Sequence, residues 1–288
     1  MAIRMILVPH DEVNAAKPAL ETAFIIARNI GAHVNALHVG ADPNDAVPLI
    51  SDGMSGAIIN EMMALAEKET AERAAKSRQV FGELCSRFSI EETETPSPET
   101  VPSASWTNEQ GLVGQATAVH GRLSDLIVAV RPVAGSEASS SLVLNAALFE
   151  TGRPVLVAPP SAAGEIGRKV AISWNGSAES ARAVAAAMEF IEAAQEVFVL
   201  TAKSDRTSLN VAPELVSYLA WHGVKAGTKA FSPSGGPTGA ALLGECAAIG
   251  ADMLVMGAYT HSRMRQLILG GVTSHVLEHA EVPLLMAH

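Results

Sequence analysis

The chain says the same thing twice, and few folds satisfy that repetition. The run "RMILVPH" near the start returns as "RKVAISW" at Arg168 to Trp174, each a short strand-like stretch after a basic residue and before polar turn residues. An alanine-rich amphipathic segment follows each, "AAKPALETAFIIARNIGA" and "SAESARAVAAAMEFIEAA", and then a β-rich run, "HVNALHV" and "EVFVLTA". Further on, "GLVGQATAVHGRLSDLIVAV" pairs with "GAALLGECAAIGADMLVMGA", and "GRPVLVAPP" with "EVPLLMAH". Strands that alternate with helices argue for parallel sheets, because parallel neighbours need a crossover between them.

A repeat of this size means two similar units rather than a solenoid. At 288 residues the chain is also long for a single core. The expected class is α/β, with two doubly wound domains, each a five-stranded, mostly parallel sheet flanked by helices. They are placed at residues 1–158 and 168–288, joined through "PPSAAGEIG", Pro159 to Gly167. The halves differ in the middle: "ADPNDAVPLISDGMSG" and a long helical segment, Ile58 to Phe88, enlarge the first, while the matching helix of the second is brief, around Val211 to His222. The acidic "EETETPSPETVPS" of the first half reads as a solvated loop.

Hydrophobic residues at 48% and charged ones at 17% suit well-buried strands rather than disorder. The net charge of −10 repels polyanions, so no extended nucleic-acid surface is expected, although a local basic loop would still hold one small phosphate ligand. Cys85 and Cys246 are too few for a disulfide framework or a thiolate metal site, and the start "MAIRMILVPHDE" does not read as a secretory leader. Arg182, Glu189 and Glu192 interrupt the most apolar helical stretch too often for a membrane span. A cytoplasmic location is the expectation.

In an open parallel sheet, ligands bind beyond the C-terminal strand ends, where the strand order reverses. In the second half those positions are "SWNGS", "TAKSD", "SPSGGPTG" and "GAYTHSRMR", and only the last leads to a glycine-rich helix start. Gly270 and Gly271 would free backbone N–H groups at the positive end of a helix dipole; Thr273 adds a hydroxyl, and Arg263 and Arg265 add charge that suits a phosphate. Turn chemistry alone would also account for those glycines.

On these residues the second half resembles a universal stress protein domain. Nucleotide-binding members of that family carry Gly-x-x-Gly, nine residues, then Gly followed by Ser or Thr. Here the four positions read Gly257, Thr260, Gly270 and Gly271, with the spacing kept and two identities changed. The β-branched Thr260 resists positive φ, so the loop must bend differently there if the family's glycine uses that conformation. Gly271 loses a side-chain donor but leaves its N–H less hindered. The resemblance places an acidic residue at the end of the first strand, against adenine and ribose; Asn175 holds that position, and Ser173, Trp174 and Ala202 match positions that line the adenine pocket. Trp174 either stacks on a base or caps the sheet edge, and Asn-Gly at 175–176 is equally a tight turn. The candidate nucleotide set is therefore Ser173, Trp174, Asn175, Ala202, Met256, Gly257, Arg263, Gly270, Gly271, Val272 and Thr273. In the first half Val130 replaces the first glycine and no glycine pair opens the helix, so no binding is expected there, although Asp11 keeps the acidic position.

Other motifs carry less. "HVLEH", His275 to His279, fits a zinc spacing, but only nine residues remain for a downstream ligand, so no metal is expected. His10, His38 and His261 have no assignable serine or cysteine partner, and "SPSGGPTG" follows the third strand of its half rather than the first. Walker and dinucleotide glycine motifs are absent. The resemblance thus implies a non-enzymatic stress-response regulator that binds ATP, with or without Mg²⁺, in its second half and acts through protein partners. A nucleotide-free scaffold and a slow ATP hydrolase are the rivals. It also implies that "PVLVAP" and "PLLMAH" join the halves as an intramolecular pseudo-dimer, with a further homodimer open.

Overall fold

The computed structural model describes residues 2–43, 56–96, 102–132, 138–161, 164–203, 211–233, 236–259 and 271–288. The first half runs β1 (Met5–His10), α1 (Val13–Ile30), β2 (His33–Gly40), α2 (Gly56–Phe88), β3 (Glu91–Glu92), β4 (Ser103–Gln110), α3 (Val113–Gly121), β5 (Leu126–Ala129), α4 (Ala138–Glu150) and β6 (Val155–Val157). The second runs β7 (Lys169–Ser173), α5 (Ala178–Ala186), α6 (Met188–Ala193), β8 (Glu196–Ala202), α7 (Ala212–Trp221), β9 (Ala226–Phe231), α8 (Thr238–Ile249), β10 (Met253–Gly257), α9 (Gly271–His279) and β11 (Leu284–Ala287). The α/β class read from the alternation is the observed one.

All of these strands form one eleven-stranded sheet in the order β3-β4-β2-β1-β5-β6-β11-β10-β7-β8-β9. Within each half every pairing is parallel. The halves meet where β6 and β11 pair antiparallel, Leu156 opposite Leu285. Strands therefore run in opposite directions on the two sides of this seam, and the C-terminal strand ends of the two halves open at opposite edges of the sheet.

Side chains alternate between two buried layers, as the two-residue period of a strand requires. Ile6 and Val8 face one layer with Phe24 and Phe81, and Leu7 faces the other with Leu144 and Leu148. Each layer continues across the seam, the first to Phe190 and Leu215, the second to Leu242 and Val276. Two aspartates do the same work in both halves. Asp125 accepts from the N–H groups of Arg4 and Met5 (2.9 and 3.0 Å), and Asp252 from those of Gly167 and Lys169 (2.9 and 3.1 Å), so each fixes its fourth long strand to the first.

Three details go beyond the sequence reading. Glu91 and Glu92 pair with β4 as a short edge strand, which an outermost position tolerates because both side chains stay exposed to water. The segment after β7 breaks into α5 and α6 at Ala187, whose backbone leaves helical geometry (φ −88°, ψ 0°). Ile166, in the connection between halves, is buried and anchors that connection to the first layer.

Candidate functional site

At the second half's switch point, between β7 and β10, the register places Ser173 beside Met256 on one side and Leu200 on the other. Ala202, at the end of β8, is exposed opposite Phe231. Trp174 continues the ladder with its N–H on the Leu200 carbonyl (2.9 Å), while its half-buried indole donates Nε1–H to the Val211 carbonyl (3.1 Å). Asn175 accepts from the Ser177 N–H through Oδ1 (3.0 Å), and Gly176 takes the left-handed conformation (φ +74°). Ser177 then caps α5 by accepting from the Ser180 N–H (3.1 Å). "WNGS" is thus an Asx turn leading into a helix cap, a local arrangement that Asn, Gly and Ser favour.

Gly257 closes β10 directly under this cap. A β-carbon there would lie 2.6 Å from the Ser180 nitrogen and 2.8 Å from the Glu179 carbonyl carbon, so only glycine admits the first turn of α5 over the strand. The glycine that opens the nucleotide motif is therefore also a packing requirement. At the other end of the motif Gly271 begins α9, is exposed, and meets no atom of the described residues where a β-carbon would sit. Val272 is half-buried and Thr273 is buried in the same turn. Thr260, Arg263, Arg265 and Gly270 lie outside the described residues.

The first half presents its strand ends at the opposite edge, around a cleft that no sequence motif marks. Segments distant in sequence form it: the end of β1 and start of α1, the residues after β5, the start of α4, and the residues after β6. It encloses about 670 Å³, within the range of small-molecule sites. A second chamber of about 220 Å³ shares Asp11, Glu12 and Ser139 with it and extends to His38 and Arg73. No spacing rule brings these segments together; Asp11, at the acidic position of the family, is the signal the sequence did offer.

Behind Asp11 lies a buried polar network. The His10 ring meets Ser77 Oγ through Nε2 (2.8 Å) and the Val8 carbonyl through Nδ1 (3.3 Å), and the Trp106 indole N–H donates to the same hydroxyl (3.4 Å). Burial pushes the His10 pKa down to about 4, with the nearby His38 ring acting in the same direction, so this imidazole is neutral at neutral pH. His38 is likewise lowered by burial, and its Nδ1–H donates to Asn108 Oδ1 (3.1 Å).

"HVLEH" forms no centre: the His275 and His279 rings stack at 4.2 Å, His279 Nδ1–H donates to the His275 carbonyl (2.9 Å), and no metal-holding cluster occurs among the described residues. No helix of the described residues is long and apolar enough to cross a membrane.

Among solved structures, the chain is similar to a universal stress protein from Archaeoglobus fulgidus DSM 4304, with a TM-score of 0.68 at 14% identity over 98% of this chain and 97% of that one. It is also similar to a putative universal stress protein from Pseudomonas aeruginosa UCBPP-PA14, with a TM-score of 0.55 at 16% identity over 99% and 93%. At such identities the likeness concerns the fold alone. No curated protein matches the sequence significantly. The model of the universal stress protein family matches residues 2–101 and 233–288, more than half of the chain. With matches in both halves and the same fold throughout, the chain belongs to the universal stress protein family.

Proposed function

We propose that this protein is a regulatory universal stress protein that holds an adenine nucleotide, ATP with Mg²⁺, at the strand ends of its second half and signals occupancy to protein partners. The observation that carries the reading is the start of α9: Gly271 is exposed, and among the described residues nothing stands where its β-carbon would be, which suits the first amides of a helix at the sheet's switch point to receiving a phosphate. Ser173 and Met256, side by side at the ends of β7 and β10, form the floor on which a base and ribose would lie.

A second reading, a scaffold without nucleotide, is favoured by one specific observation. The indole N–H of Trp174 and the amide oxygen of Asn175 are already engaged by Val211 and Ser177. Both residues then serve the turn rather than a ligand.

Calorimetric titration with ATP and Mg²⁺ separates the two. Gly271→Val is the informative variant, since its side chain would clash with none of the described residues. Saturable heat that the variant loses supports the nucleotide; no heat from the parent protein, or heat unchanged by the substitution, supports the scaffold.

A further inference from the structure

The two outer edges of the sheet are unlike. One ends on β3, only two residues long, whose Glu91 and Glu92 are exposed and charged, with Glu92 held by Arg78. Such an edge resists further pairing. The other ends on β9, six residues without proline or bulge, and among the described residues β9 pairs with β8 alone.

The last residue of β9 shows which way its main chain points. The Phe231 carbonyl accepts from the Lys203 N–H (2.8 Å), on the β8 side. Main-chain groups alternate sides along a strand, so those of Lys229 and Gly227 also point inward, and those of Ala226, Thr228 and Ala230 point outward. Three N–H groups and three carbonyls therefore form a row along the edge. Centred on Thr228, that row is its own complement in an antiparallel ladder. Thr228 faces Thr228 of a second copy, Ala226 faces Ala230, and every outward group gains a partner.

The side chains accept the same register. Lys225 falls opposite Phe231 and Lys229 opposite Gly227, so no like charges face each other. Gly227 is required from within, because a β-carbon there would lie 3.1 Å from the Phe198 ring, and it leaves room for Lys229 of the other copy, which Glu245 of α8 already holds. The helices fit as well. α7 packs on both β8 and β9 and so lies over the gap between them. With strands about 4.8 Å apart, two copies of α7 would then stand about 10 Å apart across a two-fold axis beside β9, the distance at which helices pack. Tyr218 and Trp221, one turn apart on α7, are 44% and 88% exposed and supply apolar area for that contact.

We propose that β9 is a self-association edge, through which two copies of this chain join antiparallel into one continuous sheet with α7 packed against α7. The chain already joins its own halves in this manner, at β6 and β11. The blunt edge at β3 closes the assembly at a dimer. The interface is independent of the nucleotide reading, since it uses the side of a strand and not the strand ends.

Sedimentation velocity of the full-length chain over a dilution series tests the proposal, with a dimer of twice the 29.9 kDa chain expected at the concentrated end. Thr228→Pro removes one outward N–H from each strand, at an edge position that tolerates proline, and should raise the dissociation constant by roughly tenfold or more. Trp221→Glu, at an exposed position, should weaken the dimer without altering the circular dichroism spectrum. Thr228→Cys gives a positive readout: mild oxidation should cross-link it to itself, as paired Cα atoms about 5.5 Å apart permit, and should leave Glu91→Cys uncross-linked. A monomer at every concentration, a dimer indifferent to both Thr228→Pro and Trp221→Glu, or cross-linking of Glu91→Cys in place of Thr228→Cys would each overturn the proposal.

Discussion

Two glycines of one motif play unlike parts. Gly257 lies under backbone atoms of α5, whereas a β-carbon on Gly271 would meet none of the described residues. Gly257→Ala should therefore lower unfolding free energy by about 2 kcal/mol or more, because the clash is with main chain that cannot step aside. Gly271→Ala should change it by less than about 1 kcal/mol. Chemical denaturation of the two variants side by side checks the contrast. It also shows why the motif was only half legible in the sequence: spacing marks where glycines fall, not whether a helix or a ligand requires them. His10 makes a pH-dependent case. An imidazole with an ordinary pKa of 6.5 unfolded and about 4 folded contributes stability that is complete above 6.5 and is lost as pH falls toward 4. The loss is on the order of 3 kcal/mol. His10→Gln should flatten the dependence of melting temperature on pH across that window relative to the parent, and an unchanged slope would contradict the assignment.

At the scale of elements, the alternation of strand and helix was readable because each follows from a period in the sequence: two residues for strands such as β1, and an amphipathic stripe for α1. The first-half cleft was not readable, since it depends on how the ends of β1, β5 and β6 converge, and no local pattern encodes that convergence. Asp125 and Asp252 lie between these cases: they recur at matching places in "SDLIVAV" and "ADMLVMG", yet their role as clips between strands appears only in three dimensions. Replacing Asp252 by Ala should leave three N–H groups, those of Gly167, Arg168 and Lys169, without their acceptor and cost about 1–3 kcal/mol. Asp125→Ala should cost a similar amount, and thermal unfolding of both variants tests whether the two halves are braced alike.

For the molecule as a whole, the seam matters most. β6 and β11 are buried along their lengths, and both packed layers pass through them. Contacts reinforce the junction on either side: Arg131 holds the end of α9, the Phe149 ring meets those of Tyr259 and His288 at 5.2 and 4.7 Å, and the Ile3 N–H donates to Glu189 (2.6 Å). Calorimetry should accordingly show one cooperative unfolding transition, and Leu156→Asp, at the centre of β6, should destabilise both halves together. Two separable transitions would mean that the halves fold on their own. The seam also turns the two strand-end regions to opposite edges of the sheet. The central claim is that the start of α9 receives a nucleotide, and native mass spectrometry of the intact chain with ATP and Mg²⁺ tests it most directly. The account predicts one nucleotide per chain, lost in Gly271→Val; a bare chain at millimolar ATP, or a bound nucleotide indifferent to Gly271→Val, would contradict it.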